Sequence, residues 1–125
     1  MKFLLLLLTF LTVSCSDKDI NIDQDQENKT LEKLSAEISS IANESVCSGQ
    51  YVCDFVGVGS KPCGGYRGYL VYSTSIDVTS FLKKVKKYNE LENKYNIKYG
   101  IISDCMILMP PSGTTCKNGK CKIVY

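Results

Sequence analysis

The sequence predicts an α+β domain in which a small antiparallel sheet is covered by one long helix and stapled by disulfides. Three observations point there. Residues 47–125 hold six of the seven cysteines, their β-branched and aromatic runs outnumber their helical ones, and one long stretch after Asp77 keeps an apolar stripe at helical spacing. The whole chain has 125 residues, 44% hydrophobic and 22% charged, which supports a single domain. It contains no histidine and no tryptophan. Without imidazole there is no Ser-His-Asp triad, no Cys-His dyad and no histidine-ligated metal, so the commonest hydrolase and metalloenzyme designs are excluded.

The order along the chain begins with Met1-Lys2 and an apolar run from Phe3 to Val13. One basic residue, a short apolar stretch and small residues at its end are the parts of a secretory signal peptide, here residues 1–14. The run falls short of the roughly 20 apolar residues a permanent span needs. Cys15 follows directly. Leu11-Thr12-Val13-Ser14-Cys15 resembles the lipobox of bacterial lipoproteins, which implies Cys15 as the lipid-attachment residue; Thr12 departs from the aliphatic residue usual at its position. Ser16-Asp17-Lys18-Asp19 resembles the acidic export signal of surface lipoproteins in Bacteroidetes-type bacteria. The resemblance implies an exported outer-membrane lipoprotein that meets the membrane through its lipid anchor, effectively permanently.

Residues 15–46 read as a lipidated cysteine and an acidic tether. Eight acidic residues stand against three lysines, with no aromatic residue after Cys15. The stretch 16–28 is polar enough to serve as a disordered spacer. Within 30–43, Leu31, Leu34, Ile38 and Ile41 take helical spacing, with Thr30 as the expected N-cap of a short helix. The basic domain, 47–125, then opens with a strand over 51–58. Pro62 and paired Gly64-Gly65 mark a loop over 60–65, and 69–73 is a second strand. Asp77 is the N-cap of the main helix, and Ile76 is placed to pack on Phe81 as a hydrophobic staple. Phe81, Val85, Tyr88, Leu91 and Tyr95 form its buried stripe, and Gly100 stops it. The run 106–109 reads as a short buried strand closed by Pro110-Pro111. Residues 114–125 read as a hairpin turning at Asn118-Gly119.

The six domain cysteines are Cys47, Cys53, Cys63, Cys105, Cys116 and Cys121. An even number in a small exported domain is the mark of a disulfide framework. The spacings contain no Cys-x-x-Cys pair, which argues against zinc and against a redox-active dithiol. Fifteen connectivities are open. The favoured set joins Cys63 to Cys105 across the helix and Cys53 to Cys121 between neighbouring strands, leaving Cys47 with Cys116. A bridge from Cys116 to Cys121 across the hairpin ranks second, because directly opposed cross-strand bridges tend to be strained.

Chemistry-bearing residues are few. Lys83, Lys84, Lys86 and Lys87 crowd the main helix off its apolar stripe, and Arg67 is the only arginine. They are the candidate anion-binding residues, for an acidic glycan, a lipopolysaccharide or a negatively charged protein. The plainer reading is a solvated helix face with ion pairs of the Glu90–Lys94 type. Lys61-Pro62-Cys63-Gly64-Gly65 offers backbone amides to an anion or is simply a bridged turn. Asp54 and Asp104 are carboxylates without an evident acid–base partner, a weak basis for a glycosidase. No cofactor, no metal site and no nucleic-acid partner is expected.

Lys-Pro-Cys-Gly-Gly at 61–65, Gly-Tyr-Leu-Val-Tyr-Ser at 68–73, Ser-Asp-Cys at 103–105, Pro110-Pro111 and Cys-Lys-Asn-Gly-Lys at 116–120 together resemble small uncharacterised lipoproteins of Bacteroidetes and related bacteria. The resemblance carries no activity and no functional residues. The resulting expectation is a non-enzymatic envelope lipoprotein with an exported binding domain, an inhibitor being one form of it. A structural or protective envelope component is the alternative, and an enzyme comes third.

Overall fold

The computed structural model describes residues 18–125, so the expected signal segment 1–14, the expected lipid-attachment residue Cys15, and Ser16 and Asp17 of the expected export motif lie outside the described residues. The order of elements is α1 (Lys18–Glu44), β1 (Cys53–Val58), β2 (Gly68–Ser73), α2 (Val78–Tyr99), β3 (Gly113–Lys117) and β4 (Lys120–Val124). The class is α+β. Among the described residues there are two long helices rather than one, and the strands form two separate antiparallel pairs, β1 with β2 and β3 with β4. None of the described helices is long and apolar enough to cross a membrane.

The largest correction concerns the acidic tether. Residues 18–44 form one continuous helix of 27 residues, including 18–28 of the stretch expected to be a disordered spacer. Thr30 is no N-cap: its hydroxyl donates to the Gln26 carbonyl at 3.0 Å within the helix. The expected stripe is real and it is docked. Leu31, Ile38 and Ala42 are buried in one cluster with Tyr72 of β2 and Phe81, Val85 and Tyr88 of α2, while Leu34 and Ile41 pack at its margin. Charge supports the same contact. Lys98 pairs with both Asp23 and Glu27, and Lys84 pairs with Glu37. An acidic helix lies along a basic one, so the solvation that would disorder it alone is replaced by partner charges and apolar burial.

α2 begins and ends as its sequence requires. The Asp77 carboxylate accepts from the Ser80 amide at 3.1 Å, and Gly100 takes the left-handed conformation (φ 59°) with its N–H returning to the Asn96 carbonyl. The buried stripe departs from expectation in its second half. Phe81, Val85 and Tyr88 are buried, but the line continues through Glu92 and Asn96, with Leu91 and Tyr95 only partly covered. In β3–β4 the Asn118-Gly119 turn joins the strands in register, with Cys116 opposite Cys121.

Three disulfides tie the elements: Cys47–Cys116, Cys53–Cys121 and Cys63–Cys105, with Cα separations of 5.8, 5.7 and 5.4 Å. This is the set favoured from the sequence. The first two lash the β3–β4 hairpin to the end of α1 and to β1; the third pins the loop after β1 to the segment after α2. Such a framework fits an oxidising, exported environment. The run 106–109 is not a buried strand. Residues 101–111 have no regular structure, and Met106, Ile107, Leu108 and Met109 are 68%, 86%, 43% and 73% exposed.

Candidate functional site

The lysines and Arg67 do not converge. Lys83, Lys84, Lys86 and Lys87 border an open depression on the first half of α2, together with Ser80 and Glu90. Lys84 is engaged with Glu37 of α1, and Lys86 lies 3.9 Å from Glu90. Lys83 and Lys87 have no carboxylate within ion-pair distance among the described residues. Arg67 turns elsewhere: its Nε lies 3.0 Å from Glu92 Oε1. It therefore belongs to a structural network rather than to the lysine face.

That network explains the polar half of the α2 stripe. Glu92 Oε1 also accepts from the Tyr88 hydroxyl at 3.2 Å, and Oε2 accepts from the Ser60 amide. Burial raises the Tyr88 hydroxyl above the usual tyrosine range, and the neighbouring Glu92 charge adds to the effect. Asn89 accepts from the Gly59 amide at 2.7 Å and donates to the Gly57 carbonyl at 3.1 Å, while Asn96 donates to the Ser60 carbonyl at 2.7 Å. Three side chains of one helix thus satisfy the backbone where β1 leaves its partner strand. The chain there runs through Gly59 at φ 82°, with the Arg67 side chain filling the space a Cβ would take. Asn89, Glu92 and Asn96 stand at i, i+3 and i+7, a polar line beside an apolar one, and that spacing is the signal by which they were findable.

Other candidates resolve into local structure. Asp54 accepts from the Tyr72 hydroxyl at 3.3 Å and from the Phe55 amide at 2.8 Å. The Met106 amide and then Lys61 hold the Asp104 carboxyl below the usual carboxylate range. Each carboxylate has its own backbone and side-chain partners, and no acid–base pair is built from them. The 61–65 loop closes on itself, Lys61 N–H to Gly65 carbonyl at 3.0 Å and Gly64 N–H to Lys61 carbonyl at 2.9 Å, which makes it a turn. The sulfurs of Cys47, Cys53 and Cys121 lie within 4.8 Å of one another. They belong to two neighbouring disulfides, so no thiolate is available to a metal.

One feature has no structural explanation within the fold, and the sequence reading placed it in the core. Residues 101–111 run from the end of α2 to β3 without turn, bend or helix. Both ends are fixed. At the near end Cys105 is bridged to Cys63, and Lys61, its side chain mostly covered, reaches both Asp104 (3.2 Å) and the Met106 carbonyl. At the far end Pro111 is buried, and the Ser112 amide donates to the Val124 carbonyl at 2.8 Å. Between the anchors stand Met106, Ile107, Leu108 and Met109, and Ile102 before them is 90% exposed. The N–H and C=O groups of residues 107–109 meet no partner among the described residues. Scattered exposed apolar residues are ordinary, whereas here four stand in succession.

No family model, no curated protein and no solved structure matches the chain.

Proposed function

We propose that this chain is an exported, lipid-anchored binding protein of the cell envelope that meets a protein partner through residues 106–110. The observation that carries the reading is the apolar run held clear of the fold between a disulfide and a buried proline. Its position outside the core costs apolar hydration that folding does not recover, and a partner recovers it. The apolar leader followed by Cys15, and the likeness of 61–65, 68–73 and 116–120 to small lipoproteins of Bacteroidetes and related bacteria, support the envelope placement. The experiment places a photo-crosslinking residue at Ile107 in cells and measures the intact mass of the purified chain. An acyl mass on Cys15 together with a discrete crosslinked adduct is expected. An unmodified Cys15 overturns the anchor, and no adduct at Ile107 overturns the binding role in favour of a structural component without a ligand.

A second reading rests on Lys83 and Lys87, which border the depression on α2 without ion-pair partners among the described residues. It makes this face a site for an acidic glycan or anionic headgroup. Changing both to Gln then abolishes retention on anionic vesicles; unchanged retention rejects it.

A further inference from the structure

We propose that residues 106–110 form a substrate-like inhibitory strand that occupies the active-site cleft of a serine endopeptidase with a pocket for aliphatic side chains, and stays uncut. The inference rests on the binding role proposed above and names the partner by its chemistry. The segment has what such a cleft reads. It is unbent, its side chains are large and apolar, and its backbone groups at 107–109 are free to pair with an enzyme strand. In an extended segment alternate side chains project together, so Ile107 and Met109 share one side. These two are 86% and 73% exposed, with Leu108 between them at 43%. Ile107 is the side chain offered to the specificity pocket.

The anchoring argues for an inhibitor rather than a substrate. An exposed, irregular, apolar loop is ordinarily where peptidases cut. Here the Cys63–Cys105 bridge and the Lys61 contact to the Met106 carbonyl hold the leading end, and buried Pro111 with Ser112 holds the trailing end. The two sides of any cut would remain in place, and little conformational entropy is lost when the strand binds. Cys105 itself stands at φ 54°, a conformation rare outside glycine, and the bridge keeps it there. Insertion into a bilayer is the weaker fit, because the unpaired N–H and C=O groups of 107–109 would enter hydrocarbon without partners.

The test uses the exported, oxidised chain in mild detergent against elastase and trypsin. Expected is one-to-one reversible inhibition of elastase, whose pocket takes aliphatic side chains, none of trypsin, and a strand left intact over an incubation that fully cleaves a linear 103–112 peptide. Ile107→Asp weakens inhibition by about 30-fold or more, as for a central interface residue, with the melting temperature unchanged. Ile102→Asp, which alters an equally exposed residue before the bridge, changes it by less than about twofold. The proposal is overturned by the absence of elastase inhibition, by cleavage as fast as the linear peptide, or by equal losses from the two substitutions. Vesicle insertion or self-association abolished by Ile107→Asp overturns it as well. A discrete Ile107 adduct in cells without any inhibition rejects this proposal alone and leaves the binding role standing.

Discussion

Replacing Ile38 by Ala tests whether the acidic N-terminal segment is part of the folded unit. Ile38 lies in the middle of α1 and has no exposed surface; its neighbours in the core cluster include Phe81 and Val85 of α2. The substitution removes three carbon groups at about 0.8 kcal/mol each, or roughly 2.4 kcal/mol of transfer free energy. The cavity left between two helices raises the cost toward about 4 kcal/mol. For a unit of this size each kcal/mol lowers the melting temperature by roughly 4–8 °C, so a loss of about 3 kcal/mol lowers it by about 12–24 °C. The assay is thermal unfolding of the oxidised chain followed by circular dichroism, with Lys33→Ala, an exposed position on the same helix, as control. The control should stay within about 0.5 kcal/mol. If Ile38→Ala melts with the control, α1 is a tether after all, and the common core fails with it.

Three other outcomes follow from the contacts. Tyr88→Ala should cost about 3–5 kcal/mol in denaturant unfolding, because it empties a buried site and leaves Glu92 without its hydroxyl donor; wild-type stability would show that the stripe does not face the core. Lys84→Gln with Lys87→Gln should change stability by less than about 1 kcal/mol, since the Lys84–Glu37 pair is solvent-exposed. Acidification should loosen α1. The hydrogen bond from Lys98 holds Asp23, and that from Lys84 holds Glu37, below their ordinary values near pH ~4. Groups lowered on folding contribute fully above the unfolded-state value and lose that contribution as pH falls through the folded one. Amide protection in α1, taken relative to the intrinsic exchange rate at each pH, should therefore fall between about pH 5 and 3 before protection in α2 does; simultaneous loss would reject the ion pairs as a local clamp.

How much was legible depended on whether the cause of each feature was local. Asp77, Ile76 and Gly100 fix α2 through neighbours within a few residues, and Asn118-Gly119 fixes the last turn in the same way. The disulfides were open to ranking but not to derivation: fifteen pairings remained, and the places of Cys63 and Cys105 on either side of α2 and of Cys53 and Cys121 on strands favoured the set that the structure contains. The tether was misread because its partners are remote: nothing near Asp23 in sequence announces that Lys98 will neutralise it, 75 positions away. Burial of Glu92 has a remote cause of the same kind. A carboxylate beside an apolar stripe looks solvated until the unpaired Ser60 amide it satisfies is known.

The 106–109 run shows the opposite failure, in which composition is read correctly and its consequence is not. Four large apolar residues ending in two prolines satisfy every local criterion for a buried strand. What excludes them from the core is that the core is already filled. Helix α1, counted as linker, supplies Leu31, Ile38 and Ala42 to the surface of α2 and β2 that a further strand would have covered. The two errors are therefore one. Once an acidic helix takes the inner face, the apolar run after α2 has no partner within the fold, and the Cys63–Cys105 bridge with Lys61 holds it outward instead of letting it collapse. The staple and the lysine contact thus fix both the place of the run and its exposure, and the proposed partner is what would cover it.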